Sequence, residues 1–410
     1  MRRDVLKKFT SVIPVLLGAD LNAYGVARAF HEEYGAIAQA FGKYPLGTTN
    51  HSAIINFTSV AGLSEDEKAV RTLVDFALEH KECELYLFGC TDEYAEMIIR
   101  NSNELSKYYF CPCISEDTAL MLESKERFYE ICEKYSIPHP KTVIFSRETS
   151  TDTLTRLGFD YPIVIKPSRS SVYWKHPFDG MEKVYFAHDK ASAEKIISDI
   201  FASGYDDTLV IQDTIPGGDS KMYVLTSYSG TDGKVKKMCL GHVLLEEHTP
   251  KGRGNHVAVI TEDHPEITEI LHKFLDNIGY VGFSNFDIKF DTRDNTFKVF
   301  EINLRQGRSN YYVTTAGQNI AKTVTDDRHG RLSGTDICKS ETFWHTVPLP
   351  VVYKYVDDGA LVKKAKAVIK SSGSRSTLLY KKDMKNPARL FYIAAHNLLY
   401  FRKYGKYPGR

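Results

Sequence analysis

Two short segments in the last third of the chain have the residue types and the spacing to hold a cation. Asn285-Phe286-Asp287-Ile288-Lys289 alternates polar and apolar side chains, and so does Val299-Phe300-Glu301-Ile302-Asn303. Successive side chains of an extended chain point to opposite faces. Asn285, Asp287 and Lys289 therefore share one face, Glu301 and Asn303 share another, and phenylalanine and isoleucine lie behind. The turn at 291–295 predicts that the two segments pair as a hairpin, which makes Asp287, Glu301 and Asn303 converge. Two carboxylates and one amide oxygen are hard donors. They suit Mg²⁺ bound beside phosphates, and Mn²⁺ fits the same donors. A solvated hairpin face with chance acids is the competing account. The run Arg305-Gln306-Gly307-Arg308-Ser309 weighs against it, because two guanidiniums next to two carboxylates make sense where anions must be neutralised.

Upstream, Tyr161-Pro162-Ile163-Val164-Ile165-Lys166-Pro167 sets a lysine at the end of an apolar strand. The polar loop after it, with Ser168, Ser170 and Ser171, offers hydroxyls and backbone N–H groups to the phosphates that such an ammonium would attract. Lys125, at the start of a helix that Ser124 can cap, is a second candidate. For each lysine the plain alternative is a solvated surface charge. Val210-Ile211-Gln212-Asp213-Thr214-Ile215-Pro216-Gly217-Gly218-Asp219 is a strand closed by a tight turn and an acid. That acid is placed to accept hydrogen bonds from a ribose, although a hairpin turn explains the Pro-Gly-Gly equally well. No GxxxxGK[ST] phosphate loop occurs.

The elements that must carry these residues fall into two styles. Residues 12–17 form an apolar strand, Gly18 turns the chain, and 22–34 has helical spacing; further strands are read at 52–57 and 85–88, with helices over about 66–80 and 92–101. This is the β-α alternation of a doubly wound domain over residues 1–120. From 121 to 330 the pattern changes to helices at 125–135, 191–201 and 265–277 among strands at 161–166, 209–215, 221–227, 235–245, 283–290 and 296–303. The glycine-containing segment 248–256 is read as an exposed loop or a mobile cover. Beyond about 330 the pattern weakens and turns basic and aromatic.

Composition narrows the class. The chain has 410 residues, 42% hydrophobic and 26% charged, which is ordinary for a soluble protein with a large core. Seven scattered cysteines imply reduced thiols and a cytoplasmic setting. No run of about 20 apolar residues is long enough to span a bilayer. The net charge of +1 hides an uneven distribution, because residues 361–410 carry thirteen Lys or Arg against the single acid Asp383. Within 378–407, apolar residues at 390, 391, 394, 398 and 401 follow helical spacing with basic residues near both ends. Such a helix either packs on the body or lies in an anionic membrane surface. Nothing in it reads nucleic acid.

Taken in order, Lys125, the strand ending at Lys166, the run from Gln212 to Asp219, and then Asp287, Glu301 and Asn303 resemble the ATP-grasp fold over about residues 120–325. Three stretches are similar to D-aspartate ligases of peptidoglycan synthesis: Pro14-Val15-Leu16-Leu17-Gly18-Ala19-Asp20-Leu21-Asn22-Ala23-Tyr24-Gly25, Met238-Cys239-Leu240-Gly241-His242 and Phe300-Glu301-Ile302-Asn303-Leu304-Arg305-Gln306-Gly307-Arg308-Ser309. Those enzymes attach the β-carboxylate of D-aspartate to the lysine side-chain amine of a cell-wall precursor. The resemblance implies a multidomain α/β and α+β protein. A doubly wound domain (1–120) would precede an ATP-grasp domain of two α+β subdomains clasping ATP (121–330) and a basic aromatic extension (331–410). It further implies that Lys125, Lys166, Ser168, Ser170 and Ser171 hold the ATP phosphates, that Gln212, Asp213 and Ile215 line the adenine site, and that Asp219 holds the ribose. Asp287, Glu301 and Asn303 would bind magnesium. Arg305, Arg308 and Lys289 would be the catalytic cations that balance the acyl phosphate. Two departures stand out: Gln212 replaces a glutamate common near adenine, and Asn285 stands where related ligases have an arginine. The same machinery acting on another amino acid, ammonia or another acceptor is the nearest rival reading. A nucleotide-binding regulator without catalysis is the rival from another class.

Overall fold

The computed structural model describes residues 12–250 and 252–409. Their internal contacts group the chain into two units: Met1–Glu116 with Gly218–Phe286 and Asn303–Arg410, and Asp117–Gly217 with Asp287–Ile302. This grouping differs from the consecutive segments read from the sequence, because the chain leaves and re-enters each unit.

The first unit begins with a parallel sheet of β1 (Val12–Leu17), β2 (Ala38–Gly42), β3 (Ile55–Ser59) and β4 (Glu84–Gly89), in the order β3-β2-β1-β4. The central strand β1 is buried along nearly its whole length, as an apolar run flanked by strands and helices must be. Asp20 caps the helix Leu21–Tyr34 by accepting from the backbone N–H of Asn22 (3.1 Å) and Ala23 (3.3 Å). Gly35, at φ 68°, ends that helix in the left-handed conformation. Strand β2 escaped the sequence reading. Its five residues, Ala-Gln-Ala-Phe-Gly, contain no β-branched side chain, and only its burial between β1 and β3 makes it a strand.

The second unit holds an antiparallel sheet of β5 (Thr142–Phe145), β6 (Ile163–Pro167), β7 (Tyr185–Ala187) and β8 (Leu209–Asp213), in the order β5-β8-β6-β7. Two helices belong to it. Lys125–Lys134 stops just before Ser136 (φ 53°), and Lys190–Ala202 starts with a capping box between Asp189 and Ser192.

The chain then returns to the first unit as β9 (Met222–Ser229), β10 (Val235–Glu246) and β11 (His256–Glu262). Strand β12 (Gly282–Asp291) begins in the first unit and ends in the second, and β13 (Thr296–Asn303) runs the other way. Within the first unit the strand order is β12-β9-β10-β11-β15-β16, where β15 is Phe343–His345 and β16 is Ser374–Ser376; the two-residue β14 (Asp336–Ile337) pairs with β10. The residues past 330, weakly patterned in the sequence, supply these strands and the helices Leu349–Tyr355, Gly359–Ser372 and Pro387–Lys406. Trp344, Phe343 and Val351 from this stretch are among the most buried side chains.

The last helix contributes its less apolar face to the body. Arg389, Ile393, Tyr400 and Tyr404 are buried, whereas the stripe singled out in the sequence faces solvent, with Phe391 76% and Leu398 71% exposed. Arg389 explains the choice. Its guanidinium pairs with the buried Asp383 at 3.1 Å, stacks over the Tyr24 ring, and donates to the carbonyls of Gly47 (2.9 Å) and Thr48 (2.7 Å). Breaking a buried ion pair is costly because it leaves an uncompensated charge, so this one fixes the rotation of the helix.

Candidate active site

In the second unit the end of β6 delivers Lys166 into a closed environment. The side chain is 9% exposed, its Nζ donates to the Tyr129 hydroxyl at 3.2 Å, and it lies between the rings of Tyr129 (5.7 Å) and Phe300 (5.8 Å). Tyr129 reaches there from the helix Lys125–Lys134 and is itself held by donating to the Phe300 carbonyl at 2.7 Å. The first residue of that helix, Lys125, lies 3.8 Å from the Glu301 carboxylate. Asp287 is a direct hydrogen-bonding neighbour of Glu301, as the facing strands require. Both carboxylates expected for a metal therefore stand together, and the lysines expected for phosphates stand around them.

The charges feel each other strongly. Burial alone would raise the Glu301 carboxyl, but Lys125, Lys183 and Lys166 pull it down to about 2. Burial lowers the Lys166 ammonium first, and the like charges of Lys125 and Lys183 take it further, to about 7, against the opposing pull of Glu301 and Asp287. Three ammonium groups and two carboxylates thus share one small region. Adjacent carboxylates are the donor set for a hard divalent cation, and crowded ammoniums are the receptor for a polyanion, so these residues fit Mg²⁺ bound with phosphates. Lys183 and Tyr129 were missed in the sequence. Lys183 sits in the irregular stretch before β7, where no periodicity marks it, and Tyr129 read only as one more residue of an amphipathic helix.

The other predicted residues of this unit are placed as follows. Ser168 is buried, with its hydroxyl 2.7 Å from that of Thr208. The side chains of Ser170 and Ser171 lie outside the described residues. Gln212 is buried on β8 and donates to the Thr142 hydroxyl at 2.8 Å. Asp213 pairs with Arg293 at 2.6 Å, and Ile215 is buried. Lys289 donates to the carbonyls of Ile215 (2.8 Å) and Gly217 (2.7 Å), so its ammonium ties β12 to the turn after β8.

In the first unit, two of the sequence stretches that carried the resemblance meet. Asn22 donates to the carbonyls of Cys90 (2.9 Å) and Gln306 (3.0 Å), and Asn310 donates to the Asn22 side-chain oxygen at 2.7 Å. Asn303 donates to the Asn285 carbonyl at 3.3 Å. The Asn285 side chain accepts from Thr226 at 2.9 Å and crowds Gly307, where a Cβ would come within 2.6 Å of it. A Cβ at 307 would force the Asn285 side chain to shift, so the residue that departs from the related ligases serves here as a packing group. Arg305 pairs with Asp92 at 2.7 Å, whereas no acid pairs with Arg308 among the described residues. Asp219 accepts from the Glu246 N–H (2.9 Å) and from His248 (2.7 Å), which keeps its carboxyl low despite burial. The loop 247–255 is anchored accordingly. Glu247 accepts from Lys403 (2.8 Å) and Thr249 (2.8 Å), and His248 packs edge-on against Tyr404. Lys251 within that loop lies outside the described residues.

Three comparisons bear on this geometry. The chain is 37% identical over 405 residues to the D-aspartate ligase of Enterococcus faecium (strain Aus0004), covering 96% of both sequences. No family model matches it. Among solved structures it resembles the L-amino acid ligase of Bacillus licheniformis (TM-score 0.55, 14% identity, 77% of this chain and 73% of that one). It also resembles the biotin carboxylase domain of Hydrogenobacter thermophilus 2-oxoglutarate carboxylase, solved with MgADP and bicarbonate (TM-score 0.59, 16% identity, 79% and 71%). A third neighbour is the phosphoribosylamine–glycine ligase of Thermotoga maritima (TM-score 0.56, 16% identity, 81% and 78%). At these identities the structural neighbours establish the fold, which is ATP-grasp.

Proposed function

The chain belongs to the D-aspartate ligase family and is an ATP-dependent carboxylate–amine ligase; from that premise we propose that it activates the β-carboxylate of D-aspartate and joins it to the lysine side-chain amine of a cell-wall precursor peptide. The observation that carries the reading is the full-length similarity, taken together with the cluster of Lys125, Lys166, Asp287 and Glu301 inside it. A carboxylate oxygen of the donor attacks the γ-phosphorus of ATP, ADP leaves, and an acyl phosphate results. The unprotonated amine of the acceptor then attacks the acyl carbon, phosphate leaves, and the amide forms as the nitrogen loses its proton. Lys125 and Lys166 hold the transferring phosphoryl oxygens, and the Tyr129–Phe300 enclosure around Lys166 keeps that ammonium away from bulk water. Asp287, Glu301 and Asn303 would hold Mg²⁺, which when bound would offset the charge of the phosphate oxygens. Asp219 is assigned to the ribose, and Gln212, Asp213 and Ile215 to the adenine. The test is direct: D-aspartate, ATP and acceptor give ADP and a product heavier by one aspartyl unit. A mass shift that fits another amino acid keeps the ligase and removes the donor.

The exposed face of the last helix favours one further partner, an anionic membrane surface. Leu390, Phe391, Leu398, Leu399 and Phe401 are exposed together, and the exposed Lys381, Lys382, Lys385, Arg402 and Lys406 lie toward the two ends of this face. No helix among the described residues is long and apolar enough to cross a bilayer, so the contact would be peripheral, at the inner face of the cell membrane. The full chain should float with anionic vesicles at low salt and be released as salt screens the charges. The same chain with Phe391→Gln and Leu398→Gln should stay at the bottom. A wild type that stays down, or a double variant that floats equally well, removes the helix as the contact.

A further inference from the structure

One of the stretches that carried the resemblance, Met238-Cys239-Leu240-Gly241-His242, holds none of the residues assigned to the site above. It lies within β10, and the two-residue β14 pairs with it there. The parallel register sets Lys237 opposite Asp336 and Met238 opposite Ile337, and the Cys338 N–H donates to the Met238 carbonyl at 2.8 Å. The next step of that register puts Cys239 beside Cys338. Residues paired across neighbouring strands point to one face and lie about 4.8 Å apart. A disulfide spans Cα atoms about 4.4–6.8 Å apart, so this spacing admits one. The thiols meet as the register requires, since each is the other's hydrogen-bonding neighbour. Both are free.

The two sulfurs are unlike. Cys239 is 0% exposed, and burial pushes its thiol up. Cys338 is 5% exposed and sits where β14 ends, with exposed Asp336 before it and exposed Lys339 and Ser340 after it. Its Sγ lies 3.4 Å from the Ser340 hydroxyl. The Cys239 thiol pulls the Cys338 thiol down, to about 6 against its burial. Burial instead raises the thiols of Cys90, Cys111, Cys113 and Cys132. A sulfur that ionises just below the surface therefore rests on one that is fully enclosed. That is the arrangement of an attacking thiol and a resolving thiol.

We infer that Cys239 and Cys338 form a reversible oxidation site, a dithiol that a hydroperoxide converts to a disulfide joining β14 to β10. The Cys338 thiolate attacks one peroxide oxygen, the O–O bond breaks, and the other oxygen leaves as alcohol or water after taking a proton. Cys338 is then a sulfenic acid. The Cys239 sulfur attacks the Cys338 sulfur, the S–O bond breaks, and the hydroxide leaves as water with the Cys239 proton. Two thiols are oxidised to one disulfide, and one peroxide is reduced. A dithiol reductant reverses the change. The bond strengthens a short pairing on which other parts rest. Gln318 donates to the Asp336 carbonyl (2.8 Å), Ser340 donates to the Ala316 carbonyl (3.0 Å), and Tyr312 donates to the Cys239 carbonyl (2.7 Å). The helix Tyr311–Thr315 and the turn after it are thus held by both cysteine segments. None of this depends on which donor or acceptor the ligase uses.

The full chain is treated with hydrogen peroxide at neutral pH, its remaining thiols are alkylated, and its peptides are weighed. The expected product is a peptide pair joined through Cys239 and Cys338, two hydrogens lighter than the reduced pair and separated by dithiothreitol. Cys338→Ser should give no such pair. Cys239→Ser should instead leave Cys338 as a sulfenic acid that dimedone captures. The oxidised wild type should melt about 3 °C or more above the reduced one, because the bond links distant positions of the unfolded chain. Oxidised Cys338→Ser should show no such rise. Should Cys239→Ser fail to fold, the joined peptides of the wild type and their loss in Cys338→Ser still decide the matter. Oxidation that falls first on Cys83, Cys111 or Cys113, or that takes Cys338 to a sulfinic acid with no joined pair, would overturn the inference. A joined pair with no rise in melting temperature would overturn the strengthening of β14.

Discussion

Glu301→Gln is expected to leave the protein folded and to cut ATP-dependent ligation at least about a hundredfold. The substitution keeps size and hydrogen-bonding ability and removes one negative charge. That charge sits among Lys125, Lys166 and Lys183 and is held ionised down to about pH 2. It is the group against which three ammoniums are arranged and one of the proposed metal ligands, so its loss should disturb both parts of the proposed phosphate receptor at once. Because the folded carboxyl lies below its ordinary value, its ionised form contributes stability that is present above pH 4.5 and is lost as pH falls toward 2. The glutamine variant should therefore lose the acid limb of stability between those values. Circular dichroism and thermal melting check the fold, and steady-state ADP release checks the rate. Near-normal turnover in a folded Glu301→Gln protein would remove Glu301 from the catalytic machinery.

The second large effect is expected at Lys166. An ammonium that titrates near 7 is charged below that pH and neutral above it. A polyphosphate binds the charged form, so the bound pKa must rise and nucleotide binding must take up a proton near pH 8. Above pH 7 the affinity should then fall by up to about tenfold per pH unit. Lys166→Met should abolish both the proton uptake and this slope, and should lower turnover by about two orders of magnitude. Calorimetric titration of ADP in buffers of different ionisation enthalpy measures the uptake. A wild type that binds with no net proton change at pH 8 would mean that Lys166 does not meet the phosphates.

The residues that could be read from the sequence share a property. Asp287, Glu301 and Lys166 stand on strands whose apolar neighbours announce the alternation, so their faces follow from the backbone alone. Lys125 and Asp219 were singled out because a helix start and a tight turn flank them, and their roles stand as proposals. Lys183 and Tyr129 were not, since their importance comes from partners far away in sequence and from burial that local pattern does not encode. The tail shows the same limit from the other side. Helical spacing predicted the helix correctly, but the face that packs is chosen by Arg389 and Asp383, whose pairing no periodicity announces. Asn285 was conspicuous for the opposite reason. It differs from an expected arginine, and the structure gives it a packing partner in Thr226 and a close neighbour in Gly307.

The socket that Arg389 and Asp383 fill has a consequence for how the chain is made. Tyr24 donates to Asp383, which is 359 residues further along, and Arg28 donates to the carbonyls of Ser376 and Thr377. The first helix thus reaches the exit of the ribosome with buried polar groups whose partners do not yet exist. At ordinary elongation rates the wait is roughly 20–70 s. During that time these groups of the first helix stay without the partners that satisfy them in the finished fold. A chain cut short before Asp383 carries that vacancy permanently. Such truncations should melt at a lower temperature than the full chain.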